Sequence, residues 1–342
     1  MTMWQVYGQD HLLRHMEASL KQGQTAHAYL LVGPPHVGKM TLALNLAQGV
    51  NCLKGPGEPC GECVQCTRIA EGLHADLRVV GLGRREEGGP TKTVIEIREV
   101  REVLRQVSLK PYEGTCTVII FDRADLMSED AANALLKTLE EPPPEVLILL
   151  LTADEDRILP TVQSRCRRMV LLPVTKGKMI ETLVKEHHTG PEEAERLSRL
   201  TRGCPGWAIT ALAEGAEVLE LREAELDRLK ETCESGLAAR FSYADELATL
   251  FSKDRDAAKE SLFLWLRWWR DLLLVKEGGE DYLLDIDRQA DLRLQAAQLT
   301  SVQIVRFIKR LLETLEALDR NASARLALEV LMLDLPIMTV RV

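Results

Sequence analysis

The chain has 342 residues, with 43 basic and 52 acidic side chains, and its formal net charge is −9. This length allows two or three domains with hydrophobic cores of their own. The sequence has no apolar run of membrane-spanning length, and its N-terminus lacks the basic and apolar regions of a signal peptide. We therefore expect a cytoplasmic protein. Because the net charge is negative, any contact with DNA must be local or shared with partner subunits.

Up to residue 173 the sequence alternates short apolar runs with helical patterns, which predicts an α/β fold with a parallel sheet flanked by helices. The predicted strands are 28–32, 77–81, 117–121, 146–152 and 168–172, and the predicted helices are 10–22, 39–50, 97–107, 131–139 and 158–163. The Gly-rich, charged segment 81–90 is predicted to be a surface loop. After Pro173 only helical patterns follow, first over 176–186, 191–201 and 206–214 and then in an all-helical remainder.

The stretch GPPHVGKMT, which begins at Gly33, has the spacing of a phosphate-binding loop between a strand and a helix. Gly33 and Gly38 allow backbone N–H groups to face phosphate oxygens, and Lys39 would reach the outer phosphates. Met40 stands where the loop normally has a magnesium-binding hydroxyl, and a thioether is a poor ligand for that hard ion. Thr41 cannot replace it, because the next helical residue points about 100° away. We expect weak nucleotide binding at most, with magnesium poorly held.

A second nucleotide-binding element is predicted at the end of the third strand. The run VIIF leads into Asp122, and Arg123 occupies the position where an acid would activate water. A guanidinium stays protonated at any working pH and cannot accept that proton. An isolated Asp122 would be interpreted as a strand-end carboxylate that caps a turn. Its combination with the phosphate-binding loop favours a nucleotide site that has lost its catalytic base.

Four cysteines lie close together in the sequence NCLKGPGEPCGECVQC, at Cys52, Cys60, Cys63 and Cys66. Two overlapping C-x-x-C steps and one cysteine from the preceding helix can converge on a tetrahedron, which is typical of a closed structural zinc site. An iron–sulfur cluster and four unrelated thiols are the alternatives. The spacing favours zinc.

The segment Ser164-Arg165-Cys166 follows a short predicted helix and precedes the fifth predicted strand. An arginine at such a position could project from the edge of the domain. On charge alone, however, a solvated basic surface is the simpler interpretation.

Three tryptophans, Trp265, Trp268 and Trp269, alternate with arginines in the C-terminal region and could stack on single-stranded bases. They also fall with leucines on a helical stripe. This spacing favours packing in a core or a subunit interface.

Several stretches together indicate a known family. They are Gly8-Gln9, AHAYLLVGPPHVGK at 26–39, the cysteine cluster, IEIREVREVL at 95–104, the long run at 108–167 that contains NALLKTLEEPPP and SRCR, and GCPGWAITAL at 203–212. In these stretches the chain resembles the clamp-loader branch of the AAA+ ATPases. The resemblance implies an AAA+ P-loop domain over 1–173 with a zinc module inserted at about 51–67. It further implies a helical lid over 174–214 and an all-helical collar over 215–342.

The resemblance also assigns roles to individual residues. In this family the arginine of the motif Ser164-Arg165-Cys166 enters the ATP site of a neighbouring subunit as a finger in trans. Thr152 matches the polar sensor position near the terminal phosphate, although a plain strand-end hydroxyl explains it equally well. Around 206–207 no arginine stands at the second-sensor position. Together with Met40 and Arg123, this loss predicts a subunit that does not hydrolyse ATP.

The resulting hypothesis is a non-hydrolysing clamp-loader subunit that assembles with gamma/tau and delta subunits in a hetero-pentamer. That complex would open the sliding clamp and place it on primed DNA. Basic side chains predicted to face DNA phosphates are Arg98, Arg101, Arg105, Lys110 and Lys137, with a solvated surface as the alternative. The alternative functions are an active ATPase, either the motor subunit or another AAA+ remodeller, and a zinc-dependent nucleic-acid binder with an inactive ATPase fold.

Overall fold

A computed structural model describes residues 4–82, 93–107, 110–214, 216–320 and 322–338. Most of the predicted surface loop 81–90 therefore lies outside the described residues. The chain divides into two compact units, Met1–Ala194 with Thr201–Ile209 and Glu195–Leu200 with Thr210–Val342. The division of the helical region at residue 214 into a lid and a collar stays a prediction.

The first unit contains a five-stranded parallel sheet, as the sequence predicts. Its strands are β1 Ala28–Val32, β2 Leu77–Val80, β3 Thr117–Phe121, β4 Val146–Thr152 and β5 Arg167–Val170, in the order β2-β3-β4-β1-β5. The three inner strands are buried along their whole length, which is why they are continuous apolar runs. Edge strand β5 ends before the predicted residue 172. There the backbone of Leu172 pairs instead with the side-chain amide of Gln9, at 2.7 and 3.3 Å.

The predicted helices are present with small differences at their ends, and a further short helix, α3, lies in the cysteine region where none was predicted. In chain order they are α1 Asp10–Lys21, α2 Lys39–Asn51, α3 Val64–Ala70, α4 Ile97–Val107, α5 Glu129–Glu140, α6 Pro160–Gln163, α7 Lys176–Glu186, α8 Pro191–Leu200, α9 Pro205–Glu214, α10 Ala216–Glu234, α11 Leu237–Lys253, α12 Arg255–Lys276, α13 Gln289–Gln298, α14 Ser301–Asp319 and α15 Ala324–Asp334. Helix α5 begins earlier than predicted because the Ser128 hydroxyl accepts the N–H of Ala131 and caps it. Across the described ranges, no helix is both long enough and apolar enough to cross a membrane.

The sheet separates two hydrophobic cores in the first unit. One core combines β-strand side chains with α1 and α2, through residues such as Met16 and Leu46. The other combines the opposite sheet face with α4 and α5, through Val100 and Leu135. This is the layered arrangement that a parallel sheet requires to bury both faces. It leaves the carboxyl ends of the strands as the edge at which ligands usually bind.

In the second unit the three tryptophans form the centre of a helical core. Trp265, Trp268 and Trp269 are at most 1% exposed. The ring of Trp265 stacks on Tyr243 with centroids 5.5 Å apart, and the Trp268 indole N–H donates to Gln295 at 2.8 Å. The prediction of core packing is confirmed, and these rings are not available to bases.

A buried arginine connects two distant segments of the same unit. Arg240, on α11, is 2% exposed, and its guanidinium donates only to backbone carbonyls. The acceptors are Thr232, Cys233, Ser235, Leu335 and Pro336. Burial lowers the pKa of Arg240, against an opposing contribution from Cys233. The chain segment after α15 is thereby tied to the turn between α10 and α11.

Candidate functional site

The four clustered cysteines form the first part of the site. The Sγ atoms of Cys52, Cys60, Cys63 and Cys66 all lie within 4.8 Å of one another, and those of Cys60 and Cys66 are 3.9 Å apart. A tetrahedral zinc ion with zinc–sulfur bonds of about 2.3 Å places its ligands about 3.8 Å apart. The donor set therefore fits a single zinc ion in a closed structural site, as the cysteine spacing predicts.

Local backbone geometry brings these thiols together. Cys52 directly follows the last residue of α2, and Gly55 and Gly57 then turn the chain back with φ of +109° and +136°. These values favour glycine. Cys63 is the N-cap of α3, and Cys66 lies in the first turn of that helix, fully buried. Two helix ends and one glycine-rich turn thus supply all four ligands.

The four thiols differ in acidity. Burial raises the pKa of Cys66 to about 12 and also raises that of Cys52. Burial acts in the same direction on Cys60, but the backbone N–H groups of Cys63 and Glu62 outweigh it and the pKa falls to about 6. Because a metal binds thiolates, zinc must displace protons from the buried pair. Zinc binding therefore weakens as the pH falls.

Polar side chains attach the zinc module to the rest of the first unit. The Gln48 amide donates to the carbonyl of Cys66 at 2.8 Å. The amide oxygen of Asn51 accepts the N–H groups of Thr115 and Cys116 at 2.8 and 2.9 Å, just before β3 begins. The module is therefore anchored both on α2 and on the approach to the central sheet.

A buried carboxylate holds the loop before β3 in a second way. Asp76 accepts the backbone N–H groups of Tyr112, Glu113 and Gly114 at 2.7, 2.9 and 2.7 Å. Burial alone would raise the pKa of Asp76, but these three donors hold it below its usual range. The Gln65 amide, on α3, donates to the carbonyl of Glu113 at 2.7 Å. The zinc module and this loop therefore share hydrogen bonds.

The phosphate-binding loop forms the second part of the site, between β1 and α2. Gly38 has φ of +104°, and a side chain at Gly33 would come within 2.6 Å of the Leu171 carbonyl oxygen. Both positions therefore require glycine. The Lys39 ammonium donates to the carbonyls of Gly33 and Pro34 at 2.6 and 2.8 Å. In this arrangement the lysine ammonium donates its hydrogen bonds to backbone carbonyls of the loop itself.

The start of α9 packs directly onto this loop. The N–H of Gly206 donates to the His36 carbonyl at 2.9 Å, and a Cβ at Gly206 would lie 2.8 Å from the same oxygen. His36 itself has a left-handed φ of 60°. The close approach explains why glycine stands at this point of α9.

The two degenerate positions have clear structural roles. Met40 packs against the core between the sheet and α2, and Thr41 is half-buried on the next position of the helix. Arg123 has a left-handed φ of 58° at the start of a short 3-10 helix that follows β3. Neither Met40 nor Arg123 supplies an oxygen ligand for magnesium or a base for water.

Charged side chains surround the lysine of the loop. Burial lowers the pKa of Lys39, against the opposing effect of the Asp122 and Asp125 carboxylates. Burial likewise raises the pKa of Asp122, against the Arg123 and Lys39 cations. The carboxyl ends of β1 and β3 thus bring together the loop and the strand-end acid that the sequence associates with it.

Thr152, the predicted sensor, ends β4 and is fully buried. Its hydroxyl lies 3.0 Å from the Asp125 carboxylate and 2.8 Å from the Asp154 carbonyl, and it accepts the Asp154 N–H. A hydroxyl has one proton, so it donates to one of these two oxygens at a time. The hydroxyl serves a local turn here, and the sensor role stays a prediction.

The segment Ser164-Arg165-Cys166 forms the third part of the site, between α6 and β5. The Ser164 hydroxyl donates to the Thr161 carbonyl at 3.1 Å. Cys166 packs against the core on the α5 side of the sheet, and burial raises its pKa to about 12. Ser164 is exposed, and Arg165 is half-buried.

Both terminal nitrogens of the Arg165 guanidinium donate hydrogen bonds. Nη1 donates to the Thr161 carbonyl at 2.8 Å and to the Ser164 hydroxyl at 3.2 Å, and Nη2 donates to Glu140 at 2.6 Å. Its side chain is 34% exposed. Among the described residues, Arg165 makes no hydrogen bond to the phosphate-binding loop. It therefore does not complete the nucleotide site of its own chain.

Sequence patterns identify the loop, the acid, the cysteines and the arginine, but not the residues that support them. Glu140, Asp125, Asn51 and Gln48 have no motif of their own. Each is an ordinary polar residue that the fold brings into contact with a site residue from a distant or unmarked position.

Comparison with known proteins identifies the family. The family model described as DNA polymerase III, delta subunit, matches residues 8–175. Over 327 residues the chain is 29% identical to DNA polymerase III subunit delta' of Bacillus subtilis (strain 168), and the match covers 96% of each chain. Residues 8–175 are therefore a domain of the DNA polymerase III delta-subunit family, and the chain is similar to subunit delta' along nearly its whole length.

Sequence matches to gamma and tau subunits are shorter. The chain is 33% identical over 208 residues to DNA polymerase III subunit tau/gamma of Haemophilus influenzae, which covers 60% of this chain and 29% of that protein. A solved gamma subunit-related protein from Thermotoga maritima has a TM-score of 0.43 and 22% identity, over 95% of this chain and 97% of that one. The assignment to the clamp-loader branch is confirmed, and the length of the delta-prime match favours that subunit over the motor alternative.

Proposed function

We propose that this protein is a delta-prime subunit that does not hydrolyse ATP and that supplies Arg165 to the ATP site of a neighbouring subunit. It would assemble in the cytoplasm with gamma/tau and delta subunits into a hetero-pentamer that loads the sliding clamp onto primed DNA. The match to a delta-prime subunit over 96% of the chain carries the proposal, together with a partly exposed arginine that makes no hydrogen bond to its own phosphate-binding loop within the described chain.

The geometry of the nucleotide loop supports the absence of hydrolysis. Met40 packs into the core and offers magnesium no oxygen. Arg123 cannot accept a proton from water. No arginine stands around 206–207, at the second-sensor position. These three changes affect metal binding, water activation and phosphate stabilisation, which are separate requirements of phosphoryl transfer.

The zinc ion and the helical regions complete the proposal. We propose that Cys52, Cys60, Cys63 and Cys66 hold one structural zinc ion, which leaves no open coordination position for catalysis. Residues 174–214 would act as the lid, and residues 215–342 would contribute to the oligomeric collar.

Isolated protein should show no magnesium-dependent ATP turnover. The reason is the combined loss of the magnesium hydroxyl at Met40 and the water-activating acid at Arg123. The measurement is phosphate release by the purified chain, with Lys39→Ala as the matched control that removes any activity of its own loop. Turnover above the Lys39→Ala level would identify an active ATPase and contradict the proposal. The double variant Met40→Thr with Arg123→Glu then tests whether these two positions account for the loss.

A basic face on α4 supports contact with DNA within the complex. Arg98, Arg101 and Arg105 are exposed, and their spacing along the helix places them on similar sides. None of the three forms an ion pair with any residue of the described ranges. Lys110 and Lys137 are also exposed. We propose that these cations contact DNA phosphates after assembly.

Removing the three arginines of α4 should weaken binding of the assembled complex to primed DNA. Each lost phosphate contact reduces the slope of log K against log salt by about 0.9, so the triple alanine variant should reduce it by up to about 3. The measurement is a salt titration of DNA binding. The control of equal charge replaces three exposed, ion-paired arginines of the second unit, which are Arg306 on α14, Arg320 directly after α14 and Arg325 on α15. Equal slopes for both triple variants would support the solvated-surface alternative.

A further inference from the structure

The contact between Arg165 and Glu140 is not part of the sequence motif. Glu140 is the last residue of α5 and lies 25 positions before Arg165. Its carboxylate is 2.6 Å from Nη2, while the Thr161 carbonyl and the Ser164 hydroxyl hold Nη1. The guanidinium is therefore fixed on both sides although it remains accessible to a partner.

The remaining donors suit a phosphate. A guanidinium has five N–H groups, and the contacts with Thr161, Ser164 and Glu140 use three of them. Nε–H and one Nη2 hydrogen have no partner in the part of the chain that the structure describes. Arginine binds phosphate through such paired donors. The hydrogen bonds to Thr161, Ser164 and Glu140 do not prevent the two remaining donors from binding a phosphate.

Orientation, rather than charge, is the effect of this carboxylate. The Glu140 side chain is 51% exposed, and an ion pair in contact with water contributes little energy and is screened by salt. It therefore cancels little of the positive charge that a neighbouring triphosphate would meet. A free arginine side chain, by contrast, has many rotamers to lose when it docks, and one that is already held loses fewer.

We propose that Glu140 is a positioning residue for Arg165, which fixes the guanidinium before the neighbouring subunit and its ATP arrive. This inference rests on the proposed trans role of Arg165. It assigns a function in the complex to an acidic residue at the end of α5 that touches no nucleotide itself.

The test uses the assembled clamp loader with gamma/tau and delta subunits, and measures ATP turnover in the presence of clamp and primed DNA. The relevant quantity is the part of the turnover that Arg165→Ala removes. Glu140→Ala should lower this part by about three- to thirtyfold, in kcat rather than KM, because rotamer freedom is restored to the finger. Glu140→Gln, whose amide oxygen accepts the same hydrogen bond, should stay within about twofold of wild type.

Two controls separate positioning from a structural role. Glu141→Ala removes the same charge at the adjacent exposed position and should change nothing. In the Arg165→Ala background, Glu140→Ala should have no further effect, whereas a structural contribution would lower both backgrounds equally. If Glu140→Ala does not assemble, Glu140→Ser takes its place in the same comparison.

An unchanged or increased finger-dependent turnover in Glu140→Ala overturns the inference, and an increase would show that the carboxylate competes with ATP for the arginine. If Arg165→Ala itself leaves turnover unchanged, the proposed trans role fails and the inference fails with it. If Arg165→Ala lowers turnover while Glu140→Ala does not, only the role of Glu140 is wrong.

Discussion

Replacing Arg165 by alanine is expected to slow ATP hydrolysis at the neighbouring site of the assembled complex by about 10³–10⁵-fold, the range for an arginine finger delivered by a partner. The guanidinium is partly exposed, and it is held by Thr161, Ser164 and Glu140. It would stabilise the charge that develops on the transferred phosphoryl group. Assembly should be unaffected, because a surface arginine contributes little to stability.

The measurement is single-turnover hydrolysis, because this chain would serve one of several ATP sites. In the variant, the ATP bound at one site should be hydrolysed in a slow phase, whereas the ATP at the other sites should be hydrolysed as fast as in wild type. Arg165→Lys should be nearly as slow, since an ammonium keeps the charge but loses the planar fork of donors. Arg168→Ala is the matched control, because Arg168 is exposed and pairs with Glu155 instead. Complexes that form normally and hydrolyse at an unchanged rate would end the trans-finger assignment.

Removal of zinc is expected to have the largest effect on the fold of the first unit. Structural zinc sites in small peptides contribute about 10–16 kcal/mol of apparent binding free energy at neutral pH. The four cysteine Sγ atoms, which lie within 4.8 Å of one another, join the two sides of the glycine-rich turn. The Gln65 hydrogen bond to Glu113 and the Asn51 contacts with Thr115 extend from the module to the approach of β3. Loss of the metal should therefore loosen both regions together.

Metal analysis of Cys60→Ser and Cys116→Ser tests this expectation with a matched pair. Both thiols are half-buried, and only Cys60 belongs to the cluster. Wild type and Cys116→Ser should contain one zinc per chain. In Cys60→Ser the zinc affinity should fall by more than about 100-fold, since loss of an outer-shell partner alone costs about 10–100-fold. Iron with visible absorbance would correct the identity of the metal, and equal zinc content in both variants would contradict the ligand assignment.

Much of the first unit could be predicted because its signals are local. Strands β1, β3 and β4 are continuous apolar runs that are buried on both faces, so their predicted bounds agree with the structure. The end of β5 could not be predicted, since it depends on Gln9, which lies 163 positions earlier. The start of α5 could not be predicted either, because the Ser128 cap adds two residues, Glu129 and Asp130, that the apolar pattern does not contain.

In the candidate site, too, some features could be predicted from local sequence and others depend on the folded structure. The cysteine spacing identifies the four thiols that the structure brings within 4.8 Å of one another, because this geometry is encoded within a few residues of chain. The state of Lys39 could not be predicted, since its bonds to the Gly33 and Pro34 carbonyls depend on the folded loop. Glu140 was missed for a related reason: only the packing of α5 beside α6 brings it to Arg165.

Arg240 bears on how the C-terminal end of the chain tolerates change. Its guanidinium takes two of its acceptors, Leu335 and Pro336, from the last residues that the structure describes. Truncation before these two positions would leave a buried cation with fewer acceptors and no nearby carboxylate among the described contacts, a costly state inside a helical core. Affinity tags and fluorescent fusions are therefore better attached through a spacer beyond the final valine than in place of the tail.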